Sequence, residues 1–276
     1  MVTTIDQAFV RQFEREVHAG YQRMGSKLRQ TVRSKGNVEG ASTVFQKVGK
    51  GIAATKARNG QVPVMDLAHD NETCYLEDFY AGDWIDKLDE LKTNIDERQV
   101  IANAGAYALG RKTDELIIRE LDKSTNYAGG NTTGLDLEKV LEAFEALGDK
   151  DVPDDGQRFA IVGWKQWTEL LAVKEFASAD YVGAEDLPFR GTQAKRWLGT
   201  TWIPHSGLTL TSGDVRLCHW YHKSAIGHAA GSDVETDISW HGDRAAHFVN
   251  NMMSQGAIII DPEGIVTMRC DESPAE

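Results

Sequence analysis

The chain has 276 residues, 41% hydrophobic and 26% charged, with 30 basic and 42 acidic side chains and a formal net charge of −12. That composition excludes general disorder and the collagen-like and proline-rich classes, and no apolar run approaches the roughly 18–20 residues that cross a bilayer, so no membrane partner is expected. The opening MVTTIDQAF lacks a basic stretch followed by an apolar one, so no secretory signal is expected, and Cys74, Cys218 and Cys270 are too scattered for a disulfide framework, which fits a reducing compartment.

The first predicted element is an amphipathic helix. Phe9, Phe13, Val17, Tyr21, Met24, Leu28 and Val32 recur at steps of three or four, one helical stripe, with Arg11, Arg15, Arg23, Lys27, Arg29 and Arg33 between them. After it, Gly36, Gly40, Gly49, Gly51 and Gly60 interrupt short apolar pieces at Thr43–Phe45 and Gly51–Ala54. This reads as a long hairpin of two strand-like arms with a mobile tip, too long for an ordinary loop inside a domain. Residues 76–95 read as a strand or turn entering a short acidic helix marked by Trp84, Leu88 and Leu91. A long helix is predicted over 96–123, where Gly105, Gly110 and four alanines allow another element to come close. A loop at 126–134 precedes a helix striped by Leu137, Val140, Leu141, Phe144 and Leu147. A buried strand at 158–162 and a helix at 164–173 follow, with Trp164 and Trp167 both expected to pack. Strands are predicted at 200–204, within 215–230 and at 234–240. The β-branched runs 257–260 and 265–269 flank Asp261-Pro262-Glu263-Gly264 and read as a C-terminal hairpin.

Charge is unevenly spread. Residues 1–61 hold 11 basic and 4 acidic side chains, a balance of +7, whereas the remainder stands at −19 and residues 66–97 alone at −9. A basic head on an acidic body suggests that the head binds something negative, either nucleic acid or the acidic body of another copy.

Catalytic signatures are absent. Cys218, His219, His222 and His228 fall close together, with His205 nearby, but two histidines an odd number apart on a strand point to opposite faces, and no HExxH or paired CxxC is present. There is no GxSxG elbow and no glycine-rich phosphate cradle. Adjacent carboxylates such as Asp154-Asp155 read as solvated. No cofactor, metal or catalytic residue is expected.

Several phrases in order resemble the major capsid proteins of tailed bacteriophages, the Hong Kong 97-type fold. Gln22 to Arg29 resembles the Q-x-x-S-K-L-R phrase of one branch. Ala106-Tyr-Ala-Leu-Gly-Arg-Lys-Thr-Asp114-Glu-Leu-Ile-Ile118 is similar to its spine-helix phrase, and Leu198–His205, Tyr221–Ala229 and Gly256–Asp261 to later strand phrases. The resemblance spans about residues 9–270.

It implies an α+β capsid subunit with an N-terminal arm (1–35), an extended E-loop (36–75), a P-domain (76–125 and 213–276) with a long spine helix, and an A-domain (126–212). The implied function is self-assembly into hexamers and pentamers of an icosahedral shell around double-stranded DNA, in a virion assembled in the host bacterial cytoplasm. Portal and scaffolding proteins are implied partners, and DNA contact is expected to be weak and non-specific. Within that picture the arm residues Phe9, Arg11, Phe13, Arg15, Val17, Tyr21, Arg23 and Met24 contact a neighbouring copy, as do Phe45, Lys47, Lys50, Ile52, Lys56 and Arg58 of the E-loop. Asp78, Asp83, Asp86, Asp89 and Glu90 form the acidic surface on which the basic parts dock. Competing readings are an encapsulin-like compartment shell, a metal-dependent hydrolase using His205, His219 and His222, and a DNA-binding protein using the basic head.

Overall fold

A computed structural model describes residues 25–90, 97–130, 133–177 and 195–273. In chain order the first strands are β1 (Arg33–Lys35), β2 (Ser42–Val48), β3 (His69–Tyr75) and β4 (Glu77–Asp86), then the helices α1 (Lys87–Glu90) and α2 (Glu97–Leu121). Next come β5 (Tyr127–Ala128), α3 (Leu137–Gly148), β6 (Arg158–Val162), α4 (Trp164–Ala172) and α5 (Lys174–Ala177). The last strands are β7 (Lys195–Trp197), β8 (Thr200–Pro204), β9 (Val215–His222), β10 (Ile226–Ala230), β11 (Glu235–His241), β12 (Ala246–Ile259) and β13 (Ile265–Asp271). Two units are distinguished, and α2 and β12 contribute residues to both.

The smaller unit holds residues 78–111 and 234–253 with 25 and 26. Here β11 pairs antiparallel with β12, from Glu235 opposite Met252 to His241 opposite Ala246. Close approach explains its glycines. A Cβ on Gly105 would lie 2.1 Å from Asn251 Nδ2, and one on Gly110 would lie 2.6 Å from Gly25 Cα. The fully buried Asn251 is satisfied there: it donates to Ala81 O at 3.2 Å and accepts from Thr236 Oγ1 at 2.6 Å. Trp84 packs on Phe248 at 4.6 Å between ring centroids and carries Arg244 over its face at 4.4 Å.

The larger unit is built on a six-stranded mixed sheet of order β5-β13-β9-β6-β8-β7. β6 runs parallel to β8 and antiparallel to β9, so Ala160 faces Trp202 on one side and Trp220 on the other. These fully buried rings, with Trp197, Phe176 and Trp167, form a chain of aromatic contacts 5.0–5.6 Å apart. α3 begins at Asp136, whose side chain accepts from Lys139 N at 2.9 Å, a cap worth about 1 kcal/mol. Lys139 itself is 3% exposed, yet its ammonium donates to the carbonyls of Thr133, Gly134 and Arg269, so burial leaves no proton unpaired. In the same unit β10 pairs with Gln255–Ile259 of β12 and, in parallel, with β1.

Four expectations change. At its described end the arm stripe is not helical: Leu28 precedes a 3-10 turn at Arg29–Thr31, and Val32 leads into β1. Both are still buried, because a tight turn followed by a strand also returns positions 28 and 32 to one side. The second arm of the hairpin is not 51–54 but β3, which pairs with β2 from Ser42 opposite Tyr75 to Val48 opposite His69. The C-terminal hairpin does not form. β12 and β13 enter different sheets, and Pro262–Gly264 is a 3-10 turn carrying the chain between them. Of the two tryptophans expected to pack in α4, Trp167 is buried, whereas Trp164 is 44% exposed.

Candidate assembly surface

The β2–β3 hairpin is anchored mainly at its root. Strand alternation turns Thr43 and Phe45 inward, and Phe45 lies over Gly227, where a Cβ would approach its ring to 2.8 Å. Phe45, expected at a contact with a neighbouring copy, is therefore spent inside its own chain at 2% exposure. Beyond Val48 regular pairing ends. Gly49 N donates to Ala68 O at 2.8 Å, and a turn closes with Gly60 N on Ala57 O at 3.0 Å, around Asn59 at φ 65°. A two-stranded ribbon has no core of its own. This one nevertheless exposes Ile52 (83%), Val62 (74%), Val64 (91%) and Met65 (52%). Of these only Ile52 is among the contact residues expected from sequence; Val62, Val64 and Met65 are not, although an apolar run around Pro63 in a polar hairpin is a legible signal.

The hairpin cations divide. Lys47 Nζ pairs with Asp261 at 2.9 Å, and that hydrogen bond raises its pKa above the ordinary lysine value against the opposing effect of burial. Lys50 Nζ reaches Asp151 at 3.3 Å and Lys150 O at 3.1 Å, an exposed pair of little energetic weight. Both lysines thus have partners within their own chain, while Ile52, Lys56 and Arg58 lie exposed toward the tip.

The root of the N-terminal arm is held differently. Asp114, in the buried half of α2, is wholly inaccessible. Its Oδ1 accepts from Lys27 N and Leu28 N, each at 3.1 Å, and its Oδ2 lies 3.1 Å from His205 Nε2. Thr31 Oγ1 meets Tyr221 Oη at 2.5 Å, and burial pushes the Tyr221 phenol well above its ordinary pKa, which keeps it a neutral hydrogen-bonding group. In the sequence Asp114 stands only within the spine-helix phrase, because an aspartate in a helical stretch gives no sign of being buried. The arm residues Phe9, Arg11, Phe13, Arg15, Val17, Tyr21, Arg23 and Met24 lie outside the described residues.

Asp78, Asp83 and Asp86 are exposed on β4. Alternation places Asp83 on the opposite face from Asp78 and Asp86, so these three acids do not share one plane. Asp83 and Asp86 also accept backbone hydrogen bonds from Trp84 N and Leu88 N, both at 2.8 Å. The side chains of Asp89 and Glu90 lie outside the described residues.

The histidines do not converge. His205 pairs with Asp114 at 3.1 Å, His219 with Asp122 at 3.0 Å and His222 with Asp155 at 3.1 Å. Each takes its own carboxylate, from a segment far away in sequence. No group of three or more metal-ligating side chains occurs among the described residues. The hydrolase reading required these three histidines to act together, and the geometry does not favour it. Cys218 and Cys270 are buried neighbours with free thiols, and the Cys218 thiol together with burial pushes the Cys270 pKa strongly up.

No curated protein sequence matches the chain. Solved structures do match it. That of Mycobacterium phage Che8 aligns with a TM-score of 0.73 at 16% identity, covering 95% of this chain and 97% of that one. The capsid of Ralstonia phage GP4 aligns at 0.72 and 11% identity over 100% and 99% of the two chains. The capsid of a native GTA particle aligns at 0.67 and 14% identity over 94% of each. At such identities the likeness fixes the fold, the Hong Kong 97-type fold. The sequence model of the family described as phage capsid protein matches residues 5–272, and the chain therefore belongs to the phage capsid protein family.

Proposed function

We propose that this major capsid protein of a tailed bacteriophage closes into hexamers and pentamers of an icosahedral shell around double-stranded DNA, with a portal and a scaffolding protein as further partners. The supporting observation is the hairpin: a ribbon without a core that presents Ile52, Val62, Val64 and Met65 to solvent. Exposed apolar side chains clustered on a projecting element mark a contact surface. In this reading the tip, with Lys56 and Arg58, lies on a neighbouring copy, and the basic arm docks on acidic strands such as β4. The division into arm (1–35), E-loop (36–75), P-domain (76–125 and 213–276) and A-domain (126–212) is the working assignment. Each contact need only be modest, because a closed shell multiplies them.

Negative-stain electron microscopy of the expressed chain tests the reading. Closed shells, tubes or rings of six are expected. A protein that remains monomeric at every concentration, and also with a co-expressed scaffold, would contradict it. Particles carrying a protein cargo and no DNA would turn the assignment toward a compartment shell.

A further inference from the structure

Burying Leu28, Thr31 and Val32 has a consequence for their neighbours. With positions 28, 31 and 32 turned inward, Arg29, Gln30, Arg33 and Ser34 are left on the outer side of the arm root. Lys223, on the 3-10 turn between β9 and β10, joins them. Arg29, Gln30, Val32, Arg33, Ser34 and Lys223 line a cleft of about 810 Å³. No carboxylate is among these described lining residues, and the sequence from Gly25 to Val38 contains no acid. In a chain of net charge −12 this is a marked local reversal.

The cations are also oriented. Arg33 places its guanidinium 5.7 Å from the Phe45 ring centroid and donates to Gln46 O at 3.3 Å. A guanidinium has five N–H donors, so most remain for a ligand. Arg29 pairs with Asp233 at 2.9 Å, and that aspartate is 85% exposed, so this ion pair contributes little. Asp155, two residues from the Gln157 carbonyl that accepts from Lys223 N, pairs with His222 Nε2 at 3.1 Å. Two guanidinium groups, an ammonium and an amide around one concavity match the oxygens of a phosphate, while the Ser34 hydroxyl donates to Arg29 O at 2.9 Å.

We propose that this cleft binds phosphodiester groups of double-stranded nucleic acid. The proposal rests on the shell reading, in which DNA is the enclosed polyanion, and it assigns that contact to a defined site at the arm root. Because charges are screened within about 8–10 Å near physiological salt, the acidic body does not cancel the local field of the cleft.

The test uses the full-length chain and a fluorescein-labelled 30-base-pair DNA duplex, followed by anisotropy over a range of salt concentrations. The variant R33E/K223E is compared with K165E/K174E, which changes net charge equally at exposed lysines elsewhere. R33E/K223E should weaken binding at least tenfold, and the salt slope should fall by about 1.8, roughly 0.9 per phosphate contact removed. K165E/K174E should weaken binding less than threefold. Should the reversal variant fail to fold by circular dichroism, R33Q/K223Q serves in its place, with the same order of effects. Equal weakening by both pairs would overturn the proposal, as would unchanged binding in the cleft variant. Loss of particle assembly in DNA-free buffer by the cleft variant alone would assign the cleft to a neighbouring copy and also overturn it. A native chain that forms no particles defeats the shell reading instead, so the two failures are distinguishable.

Discussion

The arm root and the hairpin are both basic, glycine-flanked segments, yet they are held by opposite means. Residues 27–32 are fixed by buried and half-buried hydrogen bonds: Asp114 takes two backbone amides, and Thr31 joins Tyr221. Residues 49–68 are held by the Gly49–Ala68 and Gly60–Ala57 backbone bonds and by the surface ion pair of Lys50, with Lys47 pairing to Asp261 just before them. The arm root hides its apolar side chains, whereas the hairpin exposes them. The proposed shell reading uses both kinds of element: a fixed point from which an arm departs, and a ribbon that would gain its burial from another copy.

That contrast can be broken by substitution. The largest effect is expected from replacing Ile52, Val62, Val64 and Met65 with serine. Their burial against a neighbour would contribute about 4 kcal/mol or more, so sedimentation should show assembly shifted by well over a hundredfold in concentration, with the melting temperature of the free subunit unchanged. Next is Asp114→Ala, which takes their acceptor from the buried Leu28 amide, the half-buried Lys27 amide and His205 Nε2. A loss of about 3 kcal/mol in urea unfolding is expected, whereas an equal loss from the hairpin substitutions would erase the distinction.

A smaller effect concerns Glu272, which accepts from Arg216 through both oxygens at 2.9 Å. The Arg216 hydrogen bond holds its pKa below the ordinary glutamate value. The folded value is the depressed one, so its contribution is complete above the unfolded value of about 4.3–4.5 and is lost as pH falls through the folded value. Glu272→Gln should cost about 1.5 kcal/mol at neutral pH and flatten the acid limb of a melting-temperature profile. The smallest effect, below about 0.5 kcal/mol, is expected for Lys50→Ala, because an exposed pair contributes little. A larger loss would show the hairpin to be pinned as firmly as the arm root.

Elements with a strong local period were legible in the sequence. The 3.6-residue stripe of α3, the long alanine-bearing run of α2 and the apolar run of β6 lie within a few residues of their expected bounds. β3 was missed because His69-Asp-Asn-Glu-Thr-Cys-Tyr75 lies exposed on most positions and carries no alternation of apolar residues. The false C-terminal hairpin arose because turn residues between two β-branched runs say nothing about which sheet each run joins. The histidine cluster was close only in sequence, since the fold supplied each ring with its own aspartate from α2, from the residue that follows it, or from the 149–156 loop. The pin at Asp114 was hidden for the same reason: its partners are 86 to 91 residues away in the chain.

Hydrogen exchange on the free subunit and on assembled particles tests the contrast most directly. Amides at 27–32 are expected to be protected in both states, and those at 49–68 to exchange rapidly in the free subunit and slowly in the particle. Equal protection of 49–68 in both states would contradict the account, because the hairpin would then be stable without a neighbour.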